Sequence, residues 1–196
     1  GMDWIPRDDL LSAAEIHSVV AQLAPLGLRR IRLTGGEPTL RRDLADIVSR
    51  IRSVAAVDDI ALSTNGVRLE ALGPELRRAG VTRVNISVDS LQPARIAAMA
   101  RRDLGLDPVR VVNSAIDAGF DPVKINTVVV RGVNDDEIGA LARLTLHLPV
   151  HVRFIELMPV GDMSDSGLDN VVSSQQVLAA AREALGSLLP DVGPSL

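Results

Sequence analysis

Apolar residues recur along the chain with two different periods, and each change of period marks a new element. Compact β-branched runs at Arg30–Thr34, Asp59–Ser63, Arg83–Val88, Val123–Val130 and Val150–Glu156 predict strands. Three- and four-residue apolar spacing predicts helices near Ala13–Leu26, Arg42–Ile51, Leu69–Ala79, Pro93–Ala100, Pro108–Ala118, Asp135–His147 and Ser173–Leu188. The punctuation agrees. Ser12 followed by Glu15 forms a capping box ahead of the first helix. Gly27, Gly80 and Gly119 stand just past helix ends, each a few residues before a strand. Strand, helix, strand at this spacing predicts successive right-handed βαβ units and a parallel sheet.

Within the strands, alternate residues face opposite sides of the sheet, and in four of the five one parity is polar. Arg32 and Thr34 alternate with Ile31 and Leu33; Ser63 and Asn65 with Ile60 and Leu62. Asn85, Ser87 and Asp89 alternate with Val84, Ile86 and Val88; Lys124 and Asn126 with Val123, Ile125 and Val129. A doubly wound sheet needs central strands that are apolar on both faces. A closed eight-stranded barrel fills its interior with branched apolar side chains. Neither description suits these strands, and a partial, open α/β barrel with a ligand-filled lumen fits better. The plainer alternative is that the polar residues sit at strand ends and face water. The expectation is that Arg32, Ser63, Ser87 and Lys124 share one concave face.

Composition narrows the picture. A chain of 196 residues that is 46% hydrophobic can bury a sizeable core, and with 2% aromatics that core must be Leu, Val, Ile and Ala. No apolar stretch is long enough to cross a bilayer, and Met2-Asp3-Trp4 has no signal-peptide features, so the cytoplasm is expected. A net charge of −4 does not suggest a general nucleic-acid surface. Cysteine is absent, which excludes disulfides, a thiolate nucleophile and cysteine-held metal within these residues. His17, His147 and His151 lie apart in sequence with no triad or carboxylate-pair setting.

The strongest local signal is Ile31-Arg32-Leu33-Thr34-Gly35-Gly36-Glu37-Pro38, at the end of the first strand. Two glycines let a backbone approach a ligand closely, and Glu37 adds a carboxylate that can accept from a cationic amine. The stretch lacks the Gly-Lys-Ser/Thr ending of a phosphate-binding loop and the Gly-x-Gly-x-x-Gly spacing of a dinucleotide fold. An ordinary strand-to-helix turn remains open on these residues alone.

This Gly-Gly-Glu-Pro stretch resembles the methionine-binding motif of radical S-adenosylmethionine (SAM) enzymes. Four further stretches follow in order: Leu62-Ser63-Thr64-Asn65-Gly66, Arg83–Ser90, Val123–Asn126 with Arg131-Gly132-Val133-Asn134-Asp135, and Arg153–Pro159. As a set, from about Asp8 to Gly161, they resemble the GTP 3',8-cyclase family of molybdenum cofactor biosynthesis. The resemblance implies a partial, open (β/α) TIM-type barrel of the radical SAM type over residues 1–160, holding strands 2 to 6 and lacking the first. Residues 161–196 would be a linker and trailing helix. It implies SAM contacts from Gly35, Gly36, Glu37, Ser87 and Met158, and GTP contacts from Arg32, Ser63, Thr64, Lys124 and Arg153.

The intact relative, a homodimer in the same expectation, uses two 4Fe–4S clusters. Their cysteines are expected upstream of Gly1 and beyond Leu196. One cluster splits SAM to a deoxyadenosyl radical, which takes hydrogen from the GTP ribose. With no cluster ligand of its own, this chain is expected to be inactive alone. Two other readings stay in view: a pseudoenzyme or nucleotide-binding module, and an aldolase-like barrel with Lys124 as a Schiff-base amine.

Overall fold

A computed structural model describes residues 9–101, 103, 105–158 and 168–190. Five strands are present: β1 (Arg30–Leu33), β2 (Asp59–Thr64), β3 (Arg83–Ser87), β4 (Val123–Val129) and β5 (Val150–Glu156). The helices are α1 (Ala13–Leu23), α2 (Leu44–Arg52), α3 (Leu69–Ala79), α4 (Pro93–Met99), α5 (Pro108–Asp117), α6 (Ile138–His147) and α7 (Ser174–Leu185). Hydrogen bonding orders the strands β1-β2-β3-β4-β5, and the β1–β2 and β2–β3 pairs are parallel.

Local chemistry accounts for the element ends. Ser12 and Glu15 close the expected capping box at α1, and Ser173 with Gln176 forms a second one at α7. The first helix stops at Leu23 rather than Leu26, because Pro25 brings a 3-10 turn over Ala24–Leu26. Gly27 then ends that turn in the left-handed conformation, with φ 97°. Asp135–Glu137 also form a 3-10 turn ahead of α6 instead of its first turn.

The residues divide into two compact units. The first holds the described residues up to Ile86 together with Val111–Val123. Its register places Ile31 beside Ile60 and Leu33 beside Leu62, with Leu62 beside Val84 and Thr64 beside Ile86. These residues share one face of the sheet, and from β2 onward they are buried with Val48, Ile51, Leu69, Leu76 and Val112. Gly66 sits against this layer, where a Cβ would collide with Val111 and press on Ile86. The opposite face carries Arg30 and Arg32, then Asp59, Ala61 and Ser63, then Arg83 and Asn85. Polar parity in this unit is therefore a property of the register and not of the strand ends.

The second unit holds Ser87–Arg110 and the described residues from Lys124 onward. Its core joins Val129 of β4, Ile138 and Ala142 of α6, Val172 ahead of α7, and Ala181 of α7. Phe154, Val177, Leu185 and Leu188 pack around them. Helix α7 is thus built into this core.

Candidate functional site

In the first unit, the glycine pair follows β1. Gly35 has φ 151°, a conformation that L side chains rarely adopt, and the space a Cβ would take is open. Gly36 is exposed beside it. Open space beside a solvent-facing backbone suits the close approach of a ligand.

Glu37 is held by protein donors. Its Oε1 accepts from Thr39 N–H at 3.0 Å, Thr39 Oγ1 at 2.5 Å and Thr64 Oγ1 at 2.7 Å. Its Oε2 accepts from Asn65 N–H at 2.8 Å, which leaves acceptor capacity on that oxygen. Arg68 adds a bond to Thr39 O at 3.1 Å. The carboxylate thereby ties the turn after β1 to the end of β2, and its first task is to shape the glycine loop.

Thr64 is buried on the apolar face, and its hydroxyl also accepts from Gly66 N–H at 3.1 Å. Ser63 lies on the polar face, half-buried, and accepts from Asn85 Nδ2 at 3.3 Å. Arg32 is exposed on the same face, beside Ala61. The Arg83–Asp59 ion pair and the 2.5 Å bond from Thr82 Oγ1 to Asp59 occupy the strand starts.

In the second unit, Ser87 is exposed at the end of β3. The residues after it are fixed at every step. Val88 donates to Asn126 O at 3.0 Å and accepts from Thr127 Oγ1 at 2.6 Å. Asn134, buried, donates to Asp89 O at 2.6 Å and Val128 O at 2.9 Å, and accepts from Val130 N–H at 2.7 Å. Glu137, also buried, accepts from Ser90 Oγ at 2.9 Å and Leu91 N–H at 2.6 Å and pairs with Arg95. Arg131–Asp135 therefore belongs to the scaffold that sets the exit of β3.

Lys124 is 2% exposed, its side chain taken almost wholly out of water. Asn126 shares its parity, and its buried Oδ1 has no hydrogen-bond partner. That atom is a second functional candidate. Its signal was present in the strand alternation, but nothing in the residue type alone distinguished it. Arg153 is half-buried in β5, and Met158 is 69% exposed just beyond it. A groove of about 480 Å³ lies among Val152, Phe154, Val177, Leu185 and Leu188, and no predicted site residue lines it.

Asp89 lies two residues beyond Ser87. Burial pushes its carboxyl above the usual range, and the Val128 N–H bond at 2.9 Å opposes that only partly. A raised folded value means the fold favours the protonated acid. The stabilisation is complete below the unfolded value of about 3.9 and is lost as pH rises through the folded one. Asp89→Asn is therefore expected to melt higher than the wild type at pH 7, with the advantage shrinking towards pH 4. Thermal melts across that range check it, and a variant that is less stable at pH 7 contradicts it.

A 4Fe–4S cluster does not fit. The sequence has no cysteine, and no group of three His, Asp or Glu among the described residues could hold a metal.

The comparisons with known proteins follow the same lines. Over 195 residues the chain is 43% identical to a GTP 3',8-cyclase of Pelotomaculum thermopropionicum, covering 100% of this chain and 60% of that protein. It is 43% identical to the Aquifex aeolicus GTP 3',8-cyclase over 90% of this chain and 55% of that one. For GTP 3',8-cyclase 2 of Pseudomonas aeruginosa the identity is 37%, covering 99% and 59%. The chain thus spans about 60% of the length of these relatives or slightly less.

Among solved structures, a radical SAM methyltransferase from Sphaerobacter thermophilus matches with a TM-score of 0.64 at 20% identity, over 89% of this chain and 55% of that one. A domain of pyruvate-formate lyase-activating enzyme from Bacteroides vulgatus matches at 0.59 and 24%, over 79% and 91%. These likenesses show the fold, an α/β architecture consistent with a partial, open TIM-type barrel. With the radical SAM superfamily's own sequence pattern matched from residue 3 to residue 145, the chain belongs to the radical SAM superfamily.

Proposed function

We propose that this chain is the substrate- and cofactor-positioning part of a GTP 3',8-cyclase. The observation that carries the reading is the 43% identity to a protein of that name across the whole of these 195 residues. In this reading Arg32 and Ser63 of the first unit and Lys124 of the second serve GTP. A guanidinium offers phosphate a two-pronged donor and a lysine ammonium a point charge. Thr64 acts through the loop it braces, and Arg153 is a further cation for the same substrate. Gly35 and Gly36 offer SAM their backbone, Glu37 shapes that backbone, and Ser87 and Met158 contact the same cofactor.

SAM supplies the adenosyl group of the superfamily's chemistry; this chain's own residues bind and orient. The reading implies a cytoplasmic protein, a homodimer when intact. No described helix is long and apolar enough to cross a membrane. The complete absence of cysteine favours a second reading for the chain by itself, a nucleotide-binding module without catalysis.

A chimera tests the function. With residues 1–196 replacing the matching segment of the Pelotomaculum cyclase, GTP is expected to be consumed in a SAM-dependent reaction. A chimera that assembles both clusters and cleaves SAM, yet leaves GTP untouched, would remove the cyclase assignment.

A further inference from the structure

The geometry points to Asn85 as a positioning residue that aims the Ser63 hydroxyl proton at an anionic oxygen of the substrate. Asn85 and Ser63 are register partners on neighbouring strands, β3 and β2, on the polar face of the first unit. Asn85 is 4% exposed, so its amide cannot exchange freely between protein and water partners. Its Nδ2 donates to Ser63 Oγ at 3.3 Å.

A serine hydroxyl has one proton and two lone pairs. With a lone pair taken by Asn85, the proton must point away from the amide. Among the described residues, no protein acceptor is recorded for it. Arg32 stands on the same face, across from Ala61 and so two positions before Ser63 along β2. An exposed guanidinium and an outward O–H on one face make a donor pair for phosphate-type oxygen. A branched apolar residue in place of Asn85 would suit a buried strand position equally well in volume, but it would leave the hydroxyl free to rotate. Asn85 thus acts through Ser63, and its role rests on the reading of Ser63 as a GTP contact.

The test uses the full 196-residue chain and GTP, by calorimetry at low salt, with Ser63→Ala, Asn85→Leu and the double variant. Ser63→Ala is expected to weaken binding roughly tenfold, as for a lost bond to a charged acceptor, and Asn85→Leu roughly threefold or more. The double variant is expected to bind no more weakly than Ser63→Ala. That non-additivity is something general damage to the sheet would not produce.

A ligand-free arm follows the side-chain amide signals of Asn85 by nitrogen–proton NMR, where Ser63→Ala is expected to shift them. Unmoved signals would overturn the inference whatever GTP does. If Ser63→Ala weakens binding but Asn85→Leu does not, or if the two losses multiply, Asn85 loses its role while Ser63 keeps its own. If the amide signals move and Ser63→Ala binds GTP as the wild type does, the substrate assignment of Ser63 fails and takes the positioning role with it.

Discussion

Reconstituted anaerobically with iron and sulfide and reduced with dithionite, the 196-residue chain is expected to stay colourless and to release no deoxyadenosine from SAM. The physical ground is the donor set. Iron–sulfur clusters are held by thiolates, with imidazole as an occasional replacement, and this sequence has no cysteine and three histidines. Those histidines are His17 in α1, His147 at the end of α6 and His151 in β5, and among the described residues none belongs to a group that could hold a metal. The expected effect is a complete loss of turnover, not a reduction. Stoichiometric iron and sulfide in the protein together with deoxyadenosine release would defeat it. The chimera with the Pelotomaculum cyclase is the matching positive arm, because it restores thiolates without altering a residue of this chain. Activity in the chimera and silence in the chain would assign electron delivery to the added segments and orientation to this one.

Much of this arrangement is legible in the order of residues. Each strand was expected within one residue of where it lies, because β-branched runs between glycines leave little choice. The polar parity was legible too, and the register confirms it for Arg32, Ser63 and Asn85. What the sequence concealed was which polar groups the protein uses on itself. Glu37 reads as a ligand carboxylate until Thr64 and Asn65, 27 and 28 residues later, are seen donating to it. Glu137 ends the acidic run Asp135-Asp136-Glu137, a composition that gives no sign of burial. In the fold it is buried and bonded to Ser90, 47 residues earlier. Hydrogen-bond partners at such separations are fixed by tertiary geometry, which alternation and propensity do not encode. The same limit hid Asn126, whose importance lies in the partner that its Oδ1 lacks.

GTP is expected to bind this chain weakly, with a Kd of about 0.1 to 1 mM, or about −4 to −5.5 kcal/mol. Arg32 and Lys124 supply cations to a protein that is acidic as a whole, with a net charge of −4. The attraction of the exposed Arg32 for phosphate should fade with salt, since exposed charges are screened over roughly 10 Å at 0.1 M, whereas the buried Lys124 is screened much less. Lys124→Ala is expected to cost about 1 kcal/mol or more, a fivefold or greater rise in Kd, if its ammonium meets a phosphate oxygen. Because Lys124 is almost completely buried, a thermal melt must accompany each titration to separate lost contact from lost fold. Guanine selectivity should be poor, because the cations proposed for GTP, Arg32, Lys124 and Arg153, suit its phosphates rather than its base. ATP is therefore expected within about threefold of GTP, a gap of about 0.6 kcal/mol. Calorimetry at low and moderate salt decides it. Equal heats for the wild type and a folded Lys124→Ala variant, or no heat from either, would remove the nucleotide site from these residues.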